Sequence, residues 1–161
     1  MAYRTIFWAG FWAFLLDQVS KYLVVHMMEL SRVGRIDVLP PFLTFRYGEN
    51  RGVNFGLFNG NSETQRWALI VFSLVVMAVV FFWVYRAAAP RLVLISAGLL
   101  IGGALGNVMD RVLYGYVLDF LNMSCCGINN PFVFNVGDVF IFLGAAGLVF
   151  LDAGERGKKP S

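Results

Sequence analysis

The chain has 161 residues, of which 58% are apolar and only 14% are charged, and its formal net charge is +3. Because a soluble domain of this size carries about 25% charged residues, the apolar surplus predicts a membrane protein built as a single domain, residues 1–161. The small net charge does not support a nucleic-acid partner, and none is expected.

Four apolar stretches predict an all-α membrane protein with four transmembrane helices. They lie at about residues 5–25, 67–85, 92–112 and 132–151. The first could pass for a signal peptide, but no small-residue cleavage site follows it, so we expect a retained helix. Within the third, Gly102, Gly103 and Gly106 predict close helix–helix contact.

The connection between the first two helices, about residues 27–66, is predicted to be a small external segment with β-structure at the membrane surface. Pro40-Pro41 opens its central part, and Asn50-Arg51-Gly52 suggests a turn between two short strands. The segment is unusually aromatic, with Phe42, Phe45, Tyr47, Phe55 and Phe58. It serves either as a packed cap over the helices or as a platform for a substrate.

The last loop, residues 120–131, is expected to be irregular. Its adjacent cysteines, Cys125 and Cys126, are not expected to bond to each other, because a bond between neighbours is strained. The sequence contains no CxxC motif or Cys/His spacing typical of a metal site.

The basic residues predict the topology. Four spans place both termini on the same side, and short basic ends and links favour the cytoplasm. The residues concerned are Arg4, Arg156, Lys158 and Lys159 at the ends and Arg86 and Arg91 in the link between the second and third helices.

With this topology, every strongly polar residue in the predicted spans falls in the outer leaflet. These residues are Asp17, Gln18, Lys21, Asn107, Asp110, Arg111, Asn135 and Asp138, and Asp119 follows the third span closely. A transporter needs polar groups through the whole thickness of the membrane, so the clustering favours a site at the outer boundary.

Part of this polar set has a structural explanation. Asp17 and Lys21 are spaced i, i+4 and are predicted to form an ion pair that orients helices. Asp110 and Arg111 point apart on a helix, so each needs a partner elsewhere, and Arg111 is interpreted as a cation near carboxylates. Asn107 lies on their side of the helix and can supply amide hydrogen bonds.

Asp119 and Asp138 lie on either side of the last chain reversal and can therefore face each other at similar depth. Two close carboxylates share one proton, which provides a general base for water and a general acid for a carbonyl oxygen. From spacing alone an alternative stays open, in which the two aspartates are proton or cation sites of a small ion-coupled carrier.

Several motifs resemble one family, lipoprotein signal peptidase, also called signal peptidase II. In family order, they are DQVSK (17–21), NRGVNFG (50–56), GNVMDR (106–111), VLDF (117–120) and FNVGD (134–138). The resemblance covers nearly the whole chain. Two positions depart from the usual pattern: Gly137 stands where the family has alanine, and Asn54 where it has a small apolar residue.

The resemblance implies an aspartic endopeptidase of the bacterial inner membrane, with its active site facing the periplasm. Its substrates would be diacylglyceryl-modified prolipoproteins, cut just before the lipidated cysteine, and the cyclic peptide globomycin would inhibit it. The implied catalytic pair is Asp119 and Asp138. The implied supporting residues are Asp17, Lys21, Asn50, Gly52, Asn107, Asp110, Arg111 and Asn135. No metal or organic cofactor is implied, and we expect a monomer in contact with membrane lipid.

Overall fold

A computed structural model describes residues 2–52, 62–87, 89–125 and 130–156, and it is mostly helical, with one small sheet. The helices are α1 (Ala2–Lys21), α2 (Leu30–Val33), α3 (Ser62–Arg86), α4 (Arg91–Tyr114) and α5 (Val136–Arg156). The strands are β1 (Arg35–Leu39), β2 (Leu43–Asn50) and β3 (Val117–Met123), which form an antiparallel sheet in the order β1-β2-β3. The prediction of a helical protein with a small β-structure is confirmed.

A long helix lies over each of the four apolar stretches. Among the described residues, α3 and α4 are long and apolar enough to cross a membrane, with mean hydropathies of 2.7 and 2.0, and the apolar part of α5, Val136–Leu151, is shorter. The start of α5 lies later than the predicted residue 132. After Lys21, α1 continues into a π-helical segment, Tyr22–Met27.

Helix α4 lies at the centre of the bundle and contacts α1, α3 and α5. Its glycines make these contacts close: Gly102 lies against the backbone of Gly10 in α1, and Gly103 lies against the backbone of Gly137 in α5. A side chain at either position would collide with a neighbouring carbonyl. The predicted packing role of these glycines is therefore confirmed.

β2 ends at Asn50, where the turn at Asn50-Arg51-Gly52 was predicted to begin, and the second strand expected after this turn lies outside the described residues. The turn between β1 and β2 lies at residues 40–42, because Pro40 and Pro41 have no N–H to donate to a ladder and favour a turn. On its other side β2 pairs with β3, and Asn50, the last residue of β2, lies opposite Val117.

The prediction of an irregular loop over residues 120–131 is wrong for its first four residues, because β3 continues to Met123. Val117, Leu118 and Phe120 are buried there, and β3 completes the sheet by pairing with β2 from the distant external segment. Cys125 is disulfide-bonded, against the expectation drawn from the adjacent cysteines. Cys126 lies outside the described residues.

The external aromatics divide into two groups. Phe45 packs edge-on against Phe120 at a centroid distance of 5.7 Å, and the Tyr47 hydroxyl lies 3.3 Å from that of Tyr116. Phe42, at the β1–β2 turn, is 54% exposed. The cap interpretation therefore fits Phe45 and Tyr47, and Phe42 is free for a partner; Phe55 and Phe58 lie outside the described residues.

We expect Gly102→Ala to destabilise the protein by about 1–3 kcal/mol, because the added methyl meets the carbonyl of Gly10. Helix propensity alone would favour alanine by about 1 kcal/mol, so a loss of stability measures the close contact. Thermal unfolding in detergent checks this. The control is Leu105→Ala, at a 42% exposed position on the same helix; equal stability of Gly102→Ala and wild type contradicts the prediction.

Candidate active site

Lys21 lies at the centre of a buried charge cluster between α1 and α4. Its ammonium group is 2.8 Å from Asp17 Oδ2 and 2.7 Å from Asp110 Oδ2, and all three side chains are nearly inaccessible to solvent. It also donates to Asn107 Oδ1 at 3.2 Å. The ion pair predicted between Asp17 and Lys21 is present, and Asp110 is its second anion. A buried ammonium needs such partners, since an unpaired charge there is very costly.

Asp17 connects α1 to the start of α5. Its Oδ1 accepts a hydrogen bond of 2.7 Å from the backbone N–H of Gly137. A Cβ at position 137 would lie 3.0 Å from both this oxygen and Asn135 Oδ1. The glycine at this position, where the family usually has alanine, therefore fits its crowded surroundings.

Asp110 connects α4 to the start of β3. Its Oδ2 accepts a hydrogen bond of 3.0 Å from the backbone N–H of Leu118. The chain reverses between them at Gly115, whose φ of 86° is left-handed and whose N–H closes the helix on the Arg111 carbonyl. Asp110 therefore fixes the start of the strand that carries Asp119.

Asn135 and Asp138 form a reciprocal cap at the start of α5. Asn135 Oδ1 accepts from the backbone N–H of Asp138 at 2.9 Å, and Asp138 Oδ2 accepts from the backbone N–H of Asn135 at 3.2 Å. This is the capping-box arrangement, in which two otherwise unpaired donors are satisfied together. The helix was predicted to begin at about residue 132, and the cap explains why α5 begins at Val136 instead.

The two remaining carboxylates are linked through a pair of asparagine amides. Asn135 Nδ2 donates to Asp119 Oδ1 at 2.6 Å, and Asn107 Nδ2 donates to Asp138 Oδ1 at 2.8 Å. Asn135 Nδ2 also donates to Asn107 Oδ1 at 3.2 Å. Asp119, from β3, and Asp138, from α5, are therefore held by one continuous set of hydrogen bonds.

Asn50 and Gly52 approach this site from the end of β2. The Asn50 amide lies near enough to lower the pKa of the Asp119 carboxyl, and its Oδ1 accepts from the N–H of Gly52 at 3.0 Å. Gly52 has a φ of 90°, a conformation that favours glycine. The external segment thus contributes one polar group to the candidate site, and the family resemblance had implied Asn50 as a supporting residue.

Burial raises the pKa of Asp119 to about 6; the negative charge of Asp138 acts in the same direction, and the hydrogen bonds from Asn135 and Asn50 oppose it. Arg111 donates to the Asn107 carbonyl at 3.3 Å, and its charge interacts with those of Asp138, Asp110 and Asp119. The interpretation of Arg111 as a cation near carboxylates fits this position.

The candidate site also contains hydrogen-bond donors that were not among the predicted site residues. Gln18 Nε2 donates to Asp110 Oδ1 at 3.0 Å, to Asp17 Oδ2 at 3.1 Å and to the Gly106 carbonyl at 3.3 Å. The sequence signal for Gln18 is a polar glutamine within an otherwise apolar helix. The backbone N–H groups of Gly137 and Leu118 gave no such signal.

Within the described residues, no group of three His, Cys, Asp or Glu side chains could hold a metal ion. The ten predicted site residues all lie in the described part of the chain. Seven of them form the hydrogen-bonded network: Asp17, Lys21, Asn107, Asp110, Asp119, Asn135 and Asp138. Asn54, the second departure from the family pattern, lies outside the described residues.

Two solved bacterial membrane enzymes share this fold. One, determined by the in meso method at 2.3 Å resolution, superimposes with a TM-score of 0.78 and 25% identity, covering 98% of this chain and 93% of the other. The second, determined by the same method at 1.9 Å, gives a TM-score of 0.77 and 26% identity over 91% of each chain. The fold is therefore that of a bacterial membrane enzyme.

The family description Signal peptidase (SPase) II matches residues 10–153. The lipoprotein signal peptidase of Sphingopyxis alaskensis is 38% identical over 155 residues, covering 92% of this chain and 88% of that protein. That of Caulobacter vibrioides is 40% identical over 141 residues, covering 86% and 80%. The chain belongs to the signal peptidase II family, whose members are membrane-embedded aspartic proteases that cleave the signal peptides of lipoproteins.

We expect Lys21→Met to destabilise the protein by about 3–5 kcal/mol, because it leaves Asp17 and Asp110 buried without their cation. Unfolding in detergent measures the loss. The triple variant Lys21→Met/Asp17→Asn/Asp110→Asn, which removes all three charges, should recover part of it. If the single variant is as stable as wild type, the cluster does not hold α1 to α4.

The raised pKa of Asp119 predicts a pH-dependent cost of folding. Between pH of about 4 and 6 the folded state keeps a proton that the unfolded state loses, so stability falls as pH rises through this window. Asp119→Asn removes the titration. Its stability relative to wild type should therefore rise by about 2–3 kcal/mol from pH 4 to pH 8. Unfolding curves that stay parallel over this range contradict the raised pKa.

Proposed function

We propose that Asp119 and Asp138 are the catalytic pair with which this protein cleaves diacylglyceryl-modified prolipoproteins, just before the lipidated cysteine. One observation supports the pairing above all. The two carboxylates, from different elements of the fold, are held by the hydrogen-bonded amides of Asn107 and Asn135. Among the residues whose burial the structure describes, the other buried carboxylates are Asp17 and Asp110, and both are paired with Lys21 and not available for chemistry.

Asp119 is the member of the pair that takes up the proton in this proposal. Its burial and the neighbouring charge of Asp138 raise its pKa to about 6. Asp138 accepts hydrogen bonds from Asn107 and from the backbone N–H of Asn135 at the start of a helix, and such bonds stabilise an anionic carboxylate. The reactive form of the pair therefore has one acid, Asp119, and one base, Asp138, and it becomes less populated as the pH rises above about 6.

The first step is attack of water on the scissile carbonyl. The Asp138 carboxylate takes a proton from the water as its oxygen bonds to the carbonyl carbon, and Asp119 gives its proton to the carbonyl oxygen. The product is a neutral tetrahedral diol, with the proton now on Asp138. This step needs no metal and no organic cofactor.

The second step is collapse of the diol. Asp138 gives its proton to the amide nitrogen, the carbon–nitrogen bond breaks, and Asp119 takes the proton of one hydroxyl as the carboxylic acid forms. The pair returns to one proton on Asp119. Asn107 and Asn135 hold the two carboxylates through both steps, since each donates a hydrogen bond to one member of the pair.

We place the four long helices across the bacterial inner membrane, with both termini in the cytoplasm and the catalytic pair facing the periplasm. Large apolar side chains on the outer faces of the helices support lipid contact, including Phe72 and Phe142, which are 65% and 72% exposed. The acyl chains of the substrate stay in lipid while its peptide bond meets the pair. We assign the exposed Phe42 to substrate contact.

The remaining partners follow from the same placement. The site binds prolipoprotein substrates and the inhibitor globomycin, the helices bind membrane lipid, and the protein acts as a monomer without nucleic acid. The described buried charges cluster at one end of the bundle, around Lys21 and the candidate pair, rather than along its length. This distribution favours a peptidase over an ion-coupled carrier.

We expect Asp119→Asn and Asp138→Asn each to lower kcat for a diacylated prolipoprotein by about 10²–10⁴-fold, because each removes either the acid or the base. The assay follows the loss of the signal peptide on gels, with purified protein in detergent, and globomycin stops the wild-type reaction.

The matched control is Asp37→Asn, on β1, where the carboxylate is half exposed and paired with Arg35 outside the site. It should cleave at the wild-type rate. Thermal unfolding of each variant separates loss of chemistry from loss of fold. A folded Asp119→Asn or Asp138→Asn protein with more than a few per cent of wild-type activity would overturn the assignment.

A further inference from the structure

A groove lies between α1 and α4 at the end of the bundle where both helices begin, away from the candidate pair. Its volume is about 480 Å³, within the range of small-molecule sites. Two stripes of side chains form its walls: Arg4, Trp8 and Trp12 on α1, and Arg91, Ile95 and Leu99 on α4. None of these residues belongs to the site described above.

The spacing makes the two stripes continuous and parallel. Each has its members at i, i+4 and i+8, so they lie one above the other on one helix face. The helices run in the same direction, since Gly10 packs against Gly98 and Gly102, and Asp17 against Gly106. Each stripe therefore starts with an arginine and extends about 12 Å into the apolar part of the bundle.

The chemistry of the groove changes along its length. Both arginines are exposed at its mouth, and the first turn of α4 adds the positive end of a helix dipole. Trp8 and Trp12 are about half exposed, and tryptophan favours the boundary between headgroups and acyl chains. Ile95 and Leu99 form the apolar wall that α4 contributes.

We propose that this groove binds an anionic phospholipid of the cytoplasmic leaflet, with its phosphate at Arg4 and Arg91 and an acyl chain along the two stripes. Charge complementarity selects this occupant, because a peptide helix or a second copy of the chain does not require two guanidinium groups above an apolar wall. The inference rests on the proposed membrane topology but not on the catalytic pair.

The test uses the purified full-length protein in a neutral detergent. Phosphatidylglycerol is titrated in, and native mass spectrometry counts bound lipid. We expect phosphatidylglycerol to bind the wild type more tightly than phosphatidylcholine with the same acyl chains. Arg4→Gln/Arg91→Gln should weaken binding of phosphatidylglycerol by about 30-fold. Glycerol phosphate, which lacks acyl chains, should bind poorly to both proteins.

The control variant is Arg86→Gln, which removes an exposed arginine from the same end of the bundle but outside the groove. It should bind like wild type. Arg4→Lys/Arg91→Lys keeps the charges and should retain most of the affinity, which shows that the double glutamine variant fails through charge rather than misfolding.

Equal binding of the two lipids, or wild-type binding by Arg4→Gln/Arg91→Gln, overturns the proposal. So does equal weakening by Arg86→Gln, which indicates a diffuse basic surface instead of a site. Because the readout is binding, failure here is separate from failure of the catalytic assignment, which the cleavage assay alone decides.

Discussion

The structure depends on one buried cation. Lys21 is 2% exposed and lies between Asp17 and Asp110, so its ammonium group joins α1 to α4. Its two anions extend this connection, because Asp17 accepts from the N–H of Gly137 and Asp110 accepts from the N–H of Leu118. The start of α5 and the start of β3, which carry Asp138 and Asp119, are therefore positioned by the same charge cluster.

The side chain of Asn107 lies between this charge cluster and the candidate pair. Asn107 Oδ1 accepts from both Lys21 and Asn135, so its Nδ2 must face Asp138. The cluster thus orients a donor toward the pair without placing its own ammonium group in contact with Asp138. One set of carboxylates is held in ion pairs with Lys21, while the other, Asp119 and Asp138, accepts hydrogen bonds from neutral amides.

Local signals in the sequence predicted the helices, and the family resemblance named the residues of the candidate site. Long apolar runs gave α3 and α4, and the i, i+4 spacing of Asp17 and Lys21 gave their ion pair. Contacts between segments far apart in the sequence were not predictable in this way. Strands β2 and β3 pair although α3 and α4 lie between them along the chain, and Lys21 on α1 forms an ion pair with Asp110 on α4. The motifs placed these residues in one site, but only the fold shows which atoms meet.

The cap at the start of α5 has a consequence for how this protein tolerates change. Asn135 and Asp138 use different atoms of the same two side chains for two purposes. Asn135 Oδ1 and Asp138 Oδ2 close the cap, while Asn135 Nδ2 donates to Asp119 and Asp138 Oδ1 accepts from Asn107. The first turn of the last helix and the arrangement of the candidate pair therefore depend on the same two side chains. Under the proposed assignment, a chain that has not formed this turn lacks the assembled pair and would leave peptide bonds uncut.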